Sequence, residues 1–123
     1  MKEEEIWAEL GHEGFQELTS RFYAKVKTDD LMSPMYPADD WEGSERRLFL
    51  FFTSRFGGDP TYQQERGHPR LRARHMPFKI DEAARDRWIK NMGQSMEEME
   101  ISKPVKLALF EFFSQVADFM RNQ

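Results

Sequence analysis

The 123-residue sequence contains no cysteine, which excludes disulfide bonds, thiolate metal ligands and a cysteine nucleophile. Freedom from disulfides is typical of proteins in a reducing cytoplasm. The sequence also has no run of about 18 apolar residues, and its first residues lead into no signal-peptide core. We therefore expect a cytoplasmic protein that does not interact with a membrane.

Basic charge is not in excess either. Eighteen lysines and arginines stand against 22 aspartates and glutamates, for a net charge of −4. That balance argues against a nucleic-acid partner. A glycine-rich phosphate loop is missing as well, because Gly57 and Gly58 form an isolated pair.

Aromatic side chains, in contrast, are plentiful, with 11 Phe, 3 Trp and 3 Tyr. A single domain over residues 1–123 is large enough to bury a core without disulfides. The rings either form an ordinary aromatic core or line a site for a large, flat ligand. Composition alone leaves both interpretations open.

Apolar residues recur at helical spacing along most of the chain, and no segment alternates as a strand would. The predicted fold class is therefore all-α. A short helix is expected over residues 4–10, closed by Gly11. The main helices are predicted at residues 15–27, 41–56, 81–99 and 103–120.

Local signals mark the ends of these helices. Asp81 and Ser102 are predicted N-caps, because their short polar side chains can accept a bond from the first free backbone N–H groups. Gly57 and Gly58 are expected to end the second long helix, with glycine in the left-handed conformation.

The remaining segments are predicted to be irregular. Residues 29–40 should form a corner with one helical turn around Leu31, and residues 61–66 a polar connection. The buried stripe of the helix at residues 81–99 is predicted to reach Met99. That of the last helix is predicted to reach Phe119, with Phe113 and Met120 widening it.

The most specialised stretch of the sequence runs from Gly67 to Ile80 and holds two of the three histidines and two of the six prolines. At most about two turns of helix fit between Pro69 and Pro77, because proline disrupts a helix interior. His75 would lie near the end of that short helix. A neutral imidazole beside apolar side chains suits an axial haem ligand. A hydrogen-bonded core histidine is the competing interpretation.

Two further side chains carry useful polar groups. Tyr23 and Trp88 are predicted to face inward from different helices, and a phenol and an indole N–H can both donate to a polar diatomic ligand. Arginines near His75 can pair with haem propionates. Spacing alone does not bring Tyr23, Trp88 and His75 together, and Tyr23 is also interpretable as a boundary residue with its hydroxyl in water.

From about residue 15 to residue 120 the sequence resembles the group II truncated haemoglobins. The most specific match is RGHPRLRARHMPF at residues 66–78, followed by RDRW at residues 85–88. Shorter matches are the pairs Phe22-Tyr23 and Tyr36-Pro37 and the triplet at residues 56–58. The resemblance implies a two-over-two helical sandwich enclosing haem b, which is iron protoporphyrin IX.

The resemblance also implies roles for individual residues. His75 corresponds to the proximal ligand of a pentacoordinate iron. On the distal side, the implied ligand-binding residues are Tyr23, Tyr36, Trp88, Ser44 and Leu48. The residues implied to contact the haem itself are Phe22, Arg47, Tyr62, Leu71, Arg74 and Phe78.

Two positions depart from the family pattern. Asp59 separates the glycine pair from Pro60, so the local turn is expected to differ. Ser44 either holds water or ligand, or caps its own helix backbone.

The favoured function is a haem protein that binds dioxygen and the other diatomic gases, carbon monoxide and nitric oxide. Tight retention in a donor-rich pocket suits redox chemistry or sensing better than oxygen transport. The alternatives are a haem-based redox enzyme, either peroxidase-like or nitric-oxide-detoxifying, a ligand sensor, and a cofactor-free helical interaction module. A reductase and a second copy of the chain in a homodimer are the expected protein partners.

Overall fold

The computed structural model describes residues 1–67, 75–76 and 78–123, apart from the side chain of Arg66. Within these ranges the chain is helical and contains no strand, which confirms the all-α prediction. The elements in chain order are α1 (Glu3–Val26), a 3₁₀ turn (Ser33–Met35), α2 (Trp41–Gly57), α3 (Thr61–Arg66), α4 (Glu82–Glu97) and α5 (Lys103–Met120).

A kink divides α1 where the sequence predicts a break. Gly11 has φ 61° and ψ −168°, a conformation that is essentially restricted to glycine. The rings of Trp7 and Phe15 stack across the kink, with centroids 5.8 Å apart. The two segments of α1 therefore remain packed together.

Two of the predicted helix ends have the expected chemistry, and a third end has a cap that was not predicted. Gly58 is the left-handed C-cap of α2, with φ 69°. The Asp81 side chain accepts a hydrogen bond of 2.9 Å from the Ala84 N–H at the start of α4. At the start of α2, Asp40 accepts one of 3.2 Å from the Gly43 N–H.

The N-terminus of α5 corrects a prediction. Ser102 occupies the N-cap position, but its side chain makes no capping bond. Its Oγ and its backbone N each donate to the Glu9 carboxylate at 2.7 Å. A charged acceptor on α1 thus replaces the local cap and ties α5 to α1.

Residues 61–66 form the helix α3, so the prediction of a polar connection was wrong. Asp59 Oδ1 accepts from the backbone N and the Oγ1 of Thr61, at 2.9 and 2.6 Å. The residue that departs from the family pattern therefore helps to start α3. Pro60 supports the same turn, because its ring restricts φ to a helical value.

One smaller prediction is confirmed and two are corrected. The corner contains one turn around Leu31, closed by a hydrogen bond of 2.9 Å from the Ser33 N–H to the Asp29 carbonyl, and a 3₁₀ turn follows at Ser33–Met35. Met99 lies beyond the end of α4 and is only partly buried. Phe119 is 59% exposed, whereas Met120 on the same helix is buried.

The helices pack as two pairs, α1 with α2 and α4 with α5, and α1 also packs on α4. This is the two-over-two sandwich. Its core contains the fully buried rings Phe15, Phe22, Phe52 and Phe113. In the part of the chain that the structure describes, no helix has the length and apolar character needed to cross a bilayer.

Candidate functional site

A cavity of about 320 Å³ opens between the helices, within the size range of small-molecule sites. Most of its wall is apolar and aromatic. The lining residues that carry polar or charged groups are Tyr23, Tyr36, Ser44, Arg47, Tyr62, His75, Arg85 and Trp88. An apolar cavity with a few such groups is the usual form of a ligand or cofactor site.

The structure brings most of the predicted site residues to this one cavity. Leu48, Phe78 and the polar residues above line it. All of them except Arg85 were predicted to be site residues. Phe22 does not line it. The fully buried Phe22 ring packs edge-on against Tyr23 and Trp88, each at 5.3 Å, and so supports the wall from behind. Leu71 and Arg74 lie outside the described residues.

Two phenols form one part of the wall. Tyr23 on α1 is 4% exposed, and its ring lies 5.6 Å from that of Tyr36 in the corner, at an interplanar angle of 81°. Burial raises the pKa of Tyr36 to about 12, against a smaller opposing effect of hydrogen bonding by Tyr23. Burial, and then the neighbouring Tyr36, also raise the pKa of Tyr23. Both phenols therefore keep their protons near neutral pH.

Trp88 brings an indole to the cavity from α4. Its ring is held edge-on by Phe22 at 5.3 Å and by Phe113 at 5.7 Å. These contacts come from α1 and α5, so three helices set the position of the indole.

Two arginines contribute positive charge to the lining. Arg47 reaches Asp40 at 3.3 Å and donates to Ser44 Oγ at 3.2 Å. The Ser44 hydroxyl is thus engaged by a cation. Arg85 lies 2.9 Å from Asp118 on α5 and 2.8 Å from Asp86.

The sequence prediction did not include Arg85 among the site residues. The signal was present, because Arg85 precedes Trp88 by three residues on α4 and residues at that spacing share a helix face. Apolar residues of α5 were missed as well, although their helical spacing marks one buried face. Those on the cavity wall are Phe112, Phe113, Val116, Ala117 and Met120.

His75 is half-buried and lines the same cavity. Its carbonyl oxygen accepts from the Phe78 N–H at 3.0 Å and lies 3.4 Å from the side-chain nitrogen of Asn122. The backbone that carries the imidazole is therefore attached to the segment that follows α5.

The residues present fit a haem. His75 could supply an imidazole ligand to its iron, the two arginines could face its carboxylates, and aromatic and apolar walls suit a flat macrocycle. Within the described ranges no three histidine, aspartate or glutamate side chains are grouped so as to hold a metal ion by themselves.

Comparison with known proteins agrees with this chemistry. Residues 5–122 match the family model described as bacterial-like globin. The group 2 truncated hemoglobin of Bacillus subtilis is 35% identical over 114 residues, covering 93% of this chain and 86% of that protein. Two-on-two hemoglobin-3 of Arabidopsis thaliana is 30% identical over 121 residues, covering 96% and 69%.

Solved structures show the same similarity. The hemoglobin of Chloroflexus aurantiacus superposes with a TM-score of 0.90 at 34% identity, covering 96% of this chain and 98% of that one. The truncated oxygen-avid haemoglobin of Bacillus subtilis gives a TM-score of 0.89 at 32% identity, covering 95% and 98%.

Proposed function

Because this chain belongs to the bacterial-like globin family, whose members bind ligands through haem, we propose that it binds dioxygen at a haem b held by His75. One observation carries the proposal. The imidazole of His75, the phenols of Tyr23 and Tyr36 and the indole of Trp88 line one cavity.

Haem b, when bound, would supply an iron that binds diatomic gases. His75 would hold this iron through an imidazole nitrogen. Arg47 and Arg85 are the described cations that could face the propionates. Arg47 would then share its guanidinium between a propionate and its present partners Asp40 and Ser44.

On the distal side, the donors would retain the gas. Tyr23 and Tyr36 keep their protons because burial raises both pKa values, and the Trp88 indole is always a donor. A hydrogen bond to a charged acceptor contributes about 1.5 to 3 kcal/mol, which corresponds to roughly tenfold to hundredfold in the rate of release. The Bacillus subtilis relative is described as oxygen-avid, and we propose the same property for this chain.

The test is the visible absorption spectrum of the haem-supplemented protein in the ferric, ferrous and carbon-monoxide-bound forms. We expect an intense haem band that shifts with ligand, and we expect His75→Ala to lose or alter that band. Adding imidazole to His75→Gly should restore it in part. His12→Ala is the matched control, because His12 contacts Trp7 and Phe49 and is absent from the cavity wall.

A colourless wild-type protein would overturn the proposal. A spectrum that His75→Ala leaves unchanged would remove His75 as the ligand. If the protein binds haem, turnover with peroxide, or with nitric oxide and an electron donor, decides between a dioxygen-binding protein and a redox enzyme. The residues alone do not decide, because the same ones would serve both functions.

A further inference from the structure

Asn122, which follows α5, is hydrogen bonded to the segment that carries His75. Its Oδ1 accepts from the Ile80 N–H at 2.9 Å, and its own N–H donates to the Ile80 carbonyl at 2.9 Å. Its side-chain nitrogen donates to the Phe78 carbonyl at 2.8 Å and lies 3.4 Å from the His75 carbonyl. One residue thus engages the backbone at three positions of residues 75–80.

Side-chain burial along this segment is uneven. The side chains of Met76 and Phe78 are 55% and 41% exposed, whereas Ile80 is buried and packs in a small cluster with Ala84 and Met120. Segments with fewer buried apolar contacts open more easily. The hydrogen bonds from Asn122 therefore act where side-chain packing is incomplete.

The carboxamide is well matched to this position. It offers an acceptor to the Ile80 N–H and donors to the two carbonyls at the same time. Aspartate would keep the acceptor but lose both donors, and alanine would lose all three groups. The two functions of the side chain can therefore be separated by substitution.

We propose that Asn122 is a positioning residue, which holds the backbone of His75 so that its imidazole meets the haem iron in a set orientation. This inference rests on the proposed function. Residues that hydrogen bond to a metal-binding residue orient it, and their loss typically lowers metal affinity by about tenfold to hundredfold. We therefore expect haem to dissociate about tenfold faster when the donors of Asn122 are removed.

The experiment compares the haem-bound wild type with Asn122→Ala and Asn122→Asp. Gln123→Ala is the matched control, because the contact described for the neighbouring Gln123 is made by its backbone oxygen, which accepts from Arg121 Nε at 3.0 Å. The readouts are the iron–imidazole stretching frequency in the ferrous protein, the rate of haem transfer to an excess of an apoglobin acceptor, and amide hydrogen exchange at Ile80.

Both Asn122 variants should lower the iron–imidazole stretching frequency or broaden its band, and both should increase the rate of haem transfer. Exchange at Ile80 should rise strongly in Asn122→Ala and less in Asn122→Asp, which retains the acceptor. Gln123→Ala should match the wild type in every readout.

An unchanged iron–imidazole band in both Asn122 variants would overturn the positioning role, even if the variants unfold more easily. Failure of the wild type to bind haem would instead overturn the proposed function, and the positioning role with it. The two failures are therefore distinguishable from the wild-type spectrum alone.

Discussion

At the scale of single residues, burial is the main reason why the two phenols of the cavity keep their protons. It is the largest cause of the raised pKa of both Tyr23 and Tyr36. A phenol that keeps its proton can donate it, so in the proposed site both residues would be donors to a bound gas.

Replacing Trp88 by phenylalanine keeps the ring packing but removes the indole N–H. We expect Trp88→Phe to release dioxygen roughly tenfold faster, because one donor to a partly charged ligand is lost. Stopped-flow displacement of dioxygen by carbon monoxide measures the rate. Trp7→Phe is the control, since Trp7 is not on the cavity wall. An unchanged rate in Trp88→Phe would exclude the indole from ligand retention.

Tyr36 should make stability depend on pH in the alkaline range. Its pKa rises from 10.0 to about 12 on folding, so the folded state disfavours the phenolate. The contribution of the protonated Tyr36 to the free energy of unfolding is complete below pH 10 and is lost as the pH rises towards 12. We expect the wild type to lose about 2 kcal/mol more than Tyr36→Phe across this window. Urea unfolding followed by circular dichroism measures both; parallel pH profiles would contradict the assignment.

At the scale of elements, one carboxylate joins the irregular corner to α4. Asp29 accepts from the Leu31 and Met32 N–H groups at 2.9 and 3.0 Å, and from Arg87 and Asn91 on α4 at 2.9 and 3.0 Å. The corner it holds contributes several residues to the cavity wall, namely Met32, Met35, Tyr36 and Pro37. The position of this wall thus depends on a polar contact that lies outside the cavity.

Asp29→Ala should lower the free energy of unfolding by about 3 kcal/mol, because it leaves buried donors unpaired. Asp30→Ala is the matched control. Asp30 also contacts Arg87, at 3.0 Å, but its side chain is 92% exposed, so its loss should cost less than about 1 kcal/mol. Urea unfolding at neutral pH measures both variants. Equal losses would contradict the central role of Asp29.

The same carboxylate predicts the acid response. Burial alone would raise the pKa of Asp29, but hydrogen bonds from Asn91, Met32, Leu31 and Arg87 together lower it below 3.8. Its contribution is therefore present above pH 3.8 and is lost as the pH falls through the folded-state value. The difference in free energy of unfolding between the wild type and Asp29→Ala should therefore decrease as the pH falls below 3.8.

At the scale of the whole molecule, the packing distance between helices decides which glycines can be replaced. A Cβ at Gly57 would lie 2.8 Å from the Trp7 ring, which is stacked on Phe15 and cannot easily move. A Cβ at Gly93 would lie 3.8 Å from Phe110, an ordinary contact. Gly57 thus marks a close approach of α2 to α1, whereas the neighbourhood of Gly93 has room.

Gly57→Ala should destabilise the protein by about 1 to 3 kcal/mol through overpacking. Gly93→Ala, inside α4, should stabilise it by about 0.5 to 1 kcal/mol, because alanine loses less backbone entropy in a helix. Thermal unfolding of both variants beside the wild type gives the comparison. A shift of the melting temperature in the same direction for both variants would contradict the packing difference.

Local structure was the part most accessible from the sequence. The ends at Gly11, Gly58 and Asp81 follow from chemistry within a few residues, and the structure confirms them. The predictions of a side-chain cap at Ser102 and of an irregular connection at residues 61–66 were wrong for different reasons. Ser102 is engaged by Glu9, which is 93 residues away along the chain, whereas residues 61–66 form a helix started by a local aspartate whose role was not recognised.

By itself the sequence determined the helices, most of their ends, the family and the residue types available for a site, because hydrophobic periodicity and capping act over short distances. Only the tertiary structure decided which of those residues meet. It placed Phe22 behind the cavity wall and Arg85 on it, and it joined Asn122 to Ile80 across 42 residues. Such contacts depend on how the helix pairs cross and pack, which no spacing along the chain encodes.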